Sequence, residues 1–232
     1  MNEADIYREW APPVRWRHAV ACLWEQRVAR ARVQRVVPDG HADLLFYGSG
    51  AVEIVGLADV VALPELPAGT VLSGVRLRPE AVGPALRTPA SGLRNLTVRA
   101  EDVFGARKAR RLVDPGYLDA WVRDIQPDSR VAAALTLLDA HPVEEVADLV
   151  SVSSRQLHRG LLAQAGLAPK ALQQVLRLQR FIRAADAGAL LAAAAADAGY
   201  ADQSHLTREV KRLAGVTPAH LVNERRGQRE PQ

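Results

Sequence analysis

The sequence predicts an α+β protein. Its N-terminal half is a small β-barrel with short helices, and its C-terminal half is all-α, with two helix-turn-helix units in tandem joined by a long linker helix. Three observations carry this prediction. Short strand-like runs separated by Gly and Pro turns fill residues 1–113. One helical pattern occurs twice within residues 128–232. Between the two copies lies a stretch without Pro or Gly that is apolar on two sides.

In chain order, Ala19–Glu25, Arg32–Val37, Ala42–Tyr47, Val52–Leu57 and Gly69–Leu77 read as strands. The turns Pro38-Asp39-Gly40, Gly48-Ser49-Gly50 and Pro67-Ala68-Gly69 lie between them. Several short strands at this spacing suggest a sandwich or barrel. Helices are expected at Pro79–Leu86, from about Arg99 to Phe104 and from about Ala106 to Leu112. Residues 114–127 form a linker: Asp114-Pro115-Gly116 and Gln126-Pro127 bracket a short amphipathic helix, Tyr117–Ile125, with Trp121 on its apolar side. Asp128 then caps a helix whose Val131, Leu135 and Leu138 face a core.

The repeat is explicit. Leu191, Ala194, Ala195 and Ala198 form an apolar stripe that ends at Gly199; Val143, Val146, Ala147 and Val150 form the same stripe, ending at Ser151. After each turn comes a polar-faced helix. In the second copy Asp202 is the N-cap, Leu206, Val210 and Leu213 make the greasy back, and Ser204, Arg208 and Lys211 stand on the other side. In the first copy Ser153 or Ser154 caps, and Leu157 and Leu161 match Leu206 and Val210. Ala165-Gly166-Leu167-Ala168-Pro169 matches Ala214-Gly215-Val216-Thr217-Pro218. Between the copies, residues 170–186 would span roughly 25 Å at about 1.5 Å per residue. That suits two helices set about one DNA turn, roughly 34 Å, apart. A helix front of amide, hydroxyl, Arg and Lys groups suits the major groove, where such groups read base edges and bond phosphates.

Composition agrees. The net charge is +4 and the pI about 9.6, a lean towards a polyanionic partner. A single cysteine, Cys22, leaves no internal disulfide and no Cys-based zinc site. No apolar run has the length of a membrane helix and no secretory signal is seen, so a soluble cytoplasmic protein with no membrane partner is expected.

Residues 128–224, and most specifically the string Gly199–Pro218, resemble the DNA-binding domain of the AraC/XylS family of bacterial transcription regulators. The resemblance implies that the second helix of each unit enters the major groove of a double-stranded operator. It points to Arg155, His158 and Arg159 in the first unit, and to Gln203, Ser204 and Arg208 in the second. Lys211, with Arg212, Lys170 and Arg177, is a phosphate candidate. RNA polymerase, as for an activator, a small-molecule effector and a second copy of the chain are the further partners that it admits. There are departures from the pattern. Gly160 sits inside the first reading helix, Ser151 stands where a turn Gly is common, and Leu162 and Ala163 replace residues that are often basic. The first unit is therefore expected to bind the more weakly.

The N-terminal half resembles a truncated cupin-like domain found in a subgroup of AraC-like regulators. The strings Arg35–Leu45 and Gly74–Pro79 carry the likeness. The implied role is effector binding or dimerisation. Arg76 and Arg78 share one face of their strand, opposite Val75 and Leu77. If the barrel interior lies on the arginine side, they grip an anionic ligand, with Asp39, His41 and Asp43 completing the ligand-binding set. Otherwise they face solvent or pair with Asp39, Asp43 or Glu53. His41 has no second His close in sequence, so neither a metal nor another cofactor is expected, and no catalytic residue is assigned. The alternative function is a DNA-binding domain fused to a repair or modification enzyme, which would need Cys22 as a reactive thiol.

Overall fold

The computed structural model describes residues 5–229. Six antiparallel strands build the main sheet: β1 (Ile6–Trp10), β2 (Val20–Arg27), β4 (Ala42–Tyr47), β5 (Val52–Val55), β7 (Val71–Leu77) and β8 (Thr97–Arg99). Their order is β1-β2-β7-β4-β5-β8. A two-stranded ladder, β3 (Arg32–Val33) with β6 (Glu65–Leu66), lies apart.

The registers explain what each face carries. Val20, Leu77 and Ala42 stand in one row, and Val75, Leu44 and Ile54 in the next. All six are buried, so this is the core face. The row Cys22, Arg76 and Asp43 alternates with them and points to the other face. Helices α1 (Val82–Leu86), α2 (Ala100–Phe104) and α3 (Ala106–Arg111) follow the sheet, and Val82, Ala85, Ala100 and Ala109 join the core.

The sheet does not close into the expected barrel. β1 and β8 are its two edges and do not pair with each other. The strand expected over Arg32–Val37 stops after two residues, apart from a single bridge between Val36 and Ala62. Between β3 and β4, residues 35–38 meet the helical half. The Arg35 guanidinium donates to Glu224 and to the carbonyl of Ala214, and Gln179 donates to the carbonyl of Pro38.

The linker helix α4 (Pro115–Arg123) begins at Asp114, whose side chain accepts from the Tyr117 amide. Trp121 packs edge-on against Phe104, with ring centroids 6.0 Å apart. Asp119 accepts from the Trp16 indole at 2.7 Å. The helical half follows: α5 (Ser129–Leu137), α6 (Val143–Leu149), α7 (Ser154–Gln164), α8 (Pro169–Asp186), α9 (Leu191–Asp197), α10 (Gln203–Ala214) and α11 (Pro218–Arg229). α8 is the long linker, and Leu172, Val175, Leu178, Phe181, Ile182 and Ala185 are buried along it. Among the described residues no helix is long and apolar enough to cross a membrane.

Candidate nucleic-acid interface

Each of the two polar-faced helices, α7 and α10, is started by its own side-chain cap. On α7, the Ser153 hydroxyl accepts from the Gln156 amide, while the Gln156 side chain accepts from the Ser153 amide at 2.9 Å, a full capping box. On α10, Asp202 accepts from the His205 amide at 2.7 Å. That bond, together with one from Ser204, holds the carboxyl below its ordinary range, so it stays ionised against the helix N-terminus.

The turn before each reading helix is a left-handed residue: Gly199 at φ 84° in the second unit and Ser151 at φ 55° in the first. Behind α7, Leu157 and Leu161 are buried; behind α10, Leu206, Val210 and Leu213 are. In front, Arg155, His158 and Arg159 on α7 and Gln203, Ser204, Arg208 and Lys211 on α10 are exposed. Their side chains make no hydrogen bond or ion pair with the described residues. Both helices therefore present hydrogen-bond donors on an exposed face with no partner among the described residues.

The second unit has an anchor that sequence reasoning missed. Glu209 is 6% exposed and sits among the inward residues of α10. Its Oε2 lies 3.4 Å from Arg177 of α8 and 3.6 Å from His205. Tyr200 completes the packing, edge-on to Phe181 at 6.3 Å and to His205 at 5.3 Å. Burial, and next the Glu209 charge, push the Tyr200 hydroxyl pKa up, so it stays neutral. Arg177, a phosphate candidate from the sequence, is thus engaged as the counter-charge of Glu209; a charged residue on the apolar stripe at 206, 209, 210 and 213 was the available signal. Arg212 is also engaged, donating to Gln174 at 2.9 Å, whereas Lys170 and Lys211 are exposed.

In the N-terminal half the structure brings together Arg76, Asp43, Asp39 and His41. Arg76 lies 3.1 Å from Glu9, 3.3 Å from Asp43 and 3.7 Å from Asp39. Trp24 donates to Asp43 at 2.8 Å, and His41 donates its amide to Asp39 at 2.9 Å. Burial pushes the Asp43 carboxyl up against the pull of Arg76. Asp39 is held low despite its burial, by the His41 hydrogen bond and charge and by Arg76. Arg78 stands apart and donates to the carbonyl of Arg17. The arginine side is not the core face, and the Arg76 charge is already shared by three carboxylates. Burial also pushes the Cys22 thiol up, away from the thiolate a nucleophile needs. Among the described residues no group of His, Cys, Asp or Glu side chains is placed to hold a metal ion.

Two capped, polar-faced helices on a shared linker define a double helix-turn-helix DNA-binding protein. Residues 146–224 match the family model described as a helix-turn-helix domain, and residues 8–99 match one described as a domain of unknown function (DUF6597). The C-terminal helix-turn-helix domain is of the AraC type. No curated protein sequence matches the chain. Among solved structures, ToxT of Vibrio cholerae O395 is similar at 11% identity over 87% of this chain and 95% of that one, with a TM-score of 0.46. An unsaturated fatty acid bound wild-type ToxT of Vibrio cholerae strain SCE256 is similar at 11% identity over 96% of each chain, with a TM-score of 0.43. At those values neither likeness defines what this chain binds.

Proposed function

We propose that the chain is a sequence-specific regulator whose helices α7 and α10 enter successive major grooves of one operator. Residues 128–232 do the binding, residues 114–127 link, and residues 1–113 regulate or dimerise. The observation that carries this reading is the matched pair of helix fronts, exposed and without partners, each on an apolar back. Arg208 and Arg155 suit guanine, Gln203 suits adenine, and Ser204 and His158 can each donate or accept. Arg159 and Lys211 suit phosphate or guanine. The exposure of all seven supports these roles.

The test is selection of duplexes from a random library by the full chain at two salt concentrations. The expected result is a motif of two blocks about one helical turn, roughly 34 Å, apart. Binding that is salt-sensitive but sequence-blind would overturn sequence-specific reading. A single block would assign reading to one helix and leave the other on phosphate.

A further inference from the structure

The N-terminal half touches the C-terminal ends of both reading helices and leaves their fronts open. At the second unit, the Arg35 side chain is 17% exposed, and one of its terminal nitrogens donates to the carbonyl of Ala214 at 2.8 Å. That carbonyl belongs to the last turn of α10, where helix carbonyls lack partners and the dipole end is negative. Nε of the same guanidinium donates to Glu224 of α11 at 2.9 Å. One planar group therefore ties the end of α10 to α11 and both to the N-terminal half. The seat is close: a Cβ built on Gly215, the C-cap of α10, would lie 3.2 Å from Val61.

At the first unit the contact is backbone to backbone. A Cβ on Gly83 of α1 would lie 2.3 Å from the carbonyl oxygen of Ala163 on α7, and one on Gly166 would lie 2.9 Å from that of Ala90. Between these two seats, Gln179 of α8 donates to the carbonyl of Pro38 at 2.6 Å. Arg155, His158, Arg159, Gln203, Ser204 and Arg208 remain exposed with all of these contacts in place.

We infer that the N-terminal half is a brace that fixes the register of the two reading helices relative to each other, and that Arg35 is the positioning residue that sets α10. The docked domain does not mask the fronts, so it stays docked while DNA is bound. Its contribution is to the separation and angle of the fronts, and hence to which operator spacing is accepted. The inference rests on the reading of α7 and α10 as DNA-binding helices.

The experiment uses the full chain and the duplex that it selects, together with versions whose central spacer is longer or shorter by one base pair. Wild type, Arg35→Met and Arg35→Lys are compared, with Arg208→Ala as control. Wild type should prefer the selected spacing over its neighbours. In Arg35→Met that preference should fall by roughly 10-fold, the low end of a lost charged hydrogen bond, with affinity for random duplex unchanged. Arg35→Lys, which keeps the charge but loses the fork, should restore part of it. Thermal melting of each variant reports folding separately. Equal spacing preference in Arg35→Met and wild type overturns the brace. A loss of the same factor on every duplex makes Arg35 a stabilising residue only and also overturns it. If wild type and Arg208→Ala both bind without sequence preference, it is the DNA reading that fails first, and the brace with it.

Discussion

Arg208→Ala separates reading from folding, because within the protein Arg208 contributes only a minor charge interaction with the Asp202 cap. It is exposed on α10 and makes no hydrogen bond or ion pair with the described residues. Its removal should leave stability within about 0.5 kcal/mol of wild type, a shift of no more than about 2 °C in Tm. A bidentate arginine contact to guanine contributes about 1–3 kcal/mol of discrimination, or about 5- to 150-fold in relative affinity. The assay is competition binding against duplexes substituted one base pair at a time, with melting followed in parallel. The expected pattern is one position at which the variant no longer distinguishes bases, with other positions and Tm unchanged. Unaltered preferences at every position would refute the assignment. So would a uniform loss accompanied by a salt slope lower by about one, since that is the signature of a phosphate contact.

Other expectations follow from local geometry. Ser151 holds φ 55°, and its exposed side chain has no partner among the described residues. A left-handed L-residue costs about 1–2 kcal/mol and glycine about 0.5–1 kcal/mol of extra chain entropy. Ser151→Gly should therefore raise Tm by about 1–4 °C, and a fall in Tm would show that the turn is not strained. Asp59 is 4% exposed and, despite burial, its pKa is held low by hydrogen bonds from Arg94 and Asn95 and by the charges of Arg94 and Arg212. A depressed folded-state pKa contributes stability above the unfolded value, near 4, and loses it as pH falls through the folded one. Asp59→Asn should thus flatten the acid limb of the stability curve below about pH 4, and an unchanged limb in urea melts taken across pH would count against the pairing. Cys22, its pKa raised by burial, should alkylate more slowly at pH 8 than a free thiol; a faster rate would reopen the reactive-thiol alternative.

The helical half was legible because its signals are local. Asp128, Ser153 and Asp202 cap where their side chains predict, and the long linker runs where Pro and Gly are missing. The N-terminal half was legible in its central strands and its short helices, but not at the edges of the sheet. β1 is exposed at all five residues, so it carries no alternating pattern. β8 has three residues and exists because Val98 pairs with Ile54, a contact distant in sequence. The Arg76 cluster was half legible. Strand alternation placed Arg76 on the polar side, but only the register that sets Glu9 beside Trp24, and Asp43 beside Arg76, shows its charge taken up. Arg177 misled because an exposed-looking charge on a linker helix cannot reveal that Glu209 faces it.

The departures of the first unit from its family pattern acquire a physical reason in the fold. Gly160, which costs up to about 1 kcal/mol in a helix interior, lies where a Cβ would stand 3.2 Å from Val131, so the small residue lets α5 and α7 approach. Leu162 and Ala163 are half-buried, and the backbone of Ala163 is the seat of Gly83. The Ala163 carbonyl is thus committed to the contact with α1. Two half-buried positions next to that contact do not by themselves predict a decayed reading helix. Arg155, His158 and Arg159 lie nearer the start of α7, beyond that contact, and remain available. The first unit should then contribute fewer phosphate contacts but keep its base preference: the selected motif should retain two blocks, while the salt slope of binding falls more on mutation of Lys211 than of Arg155.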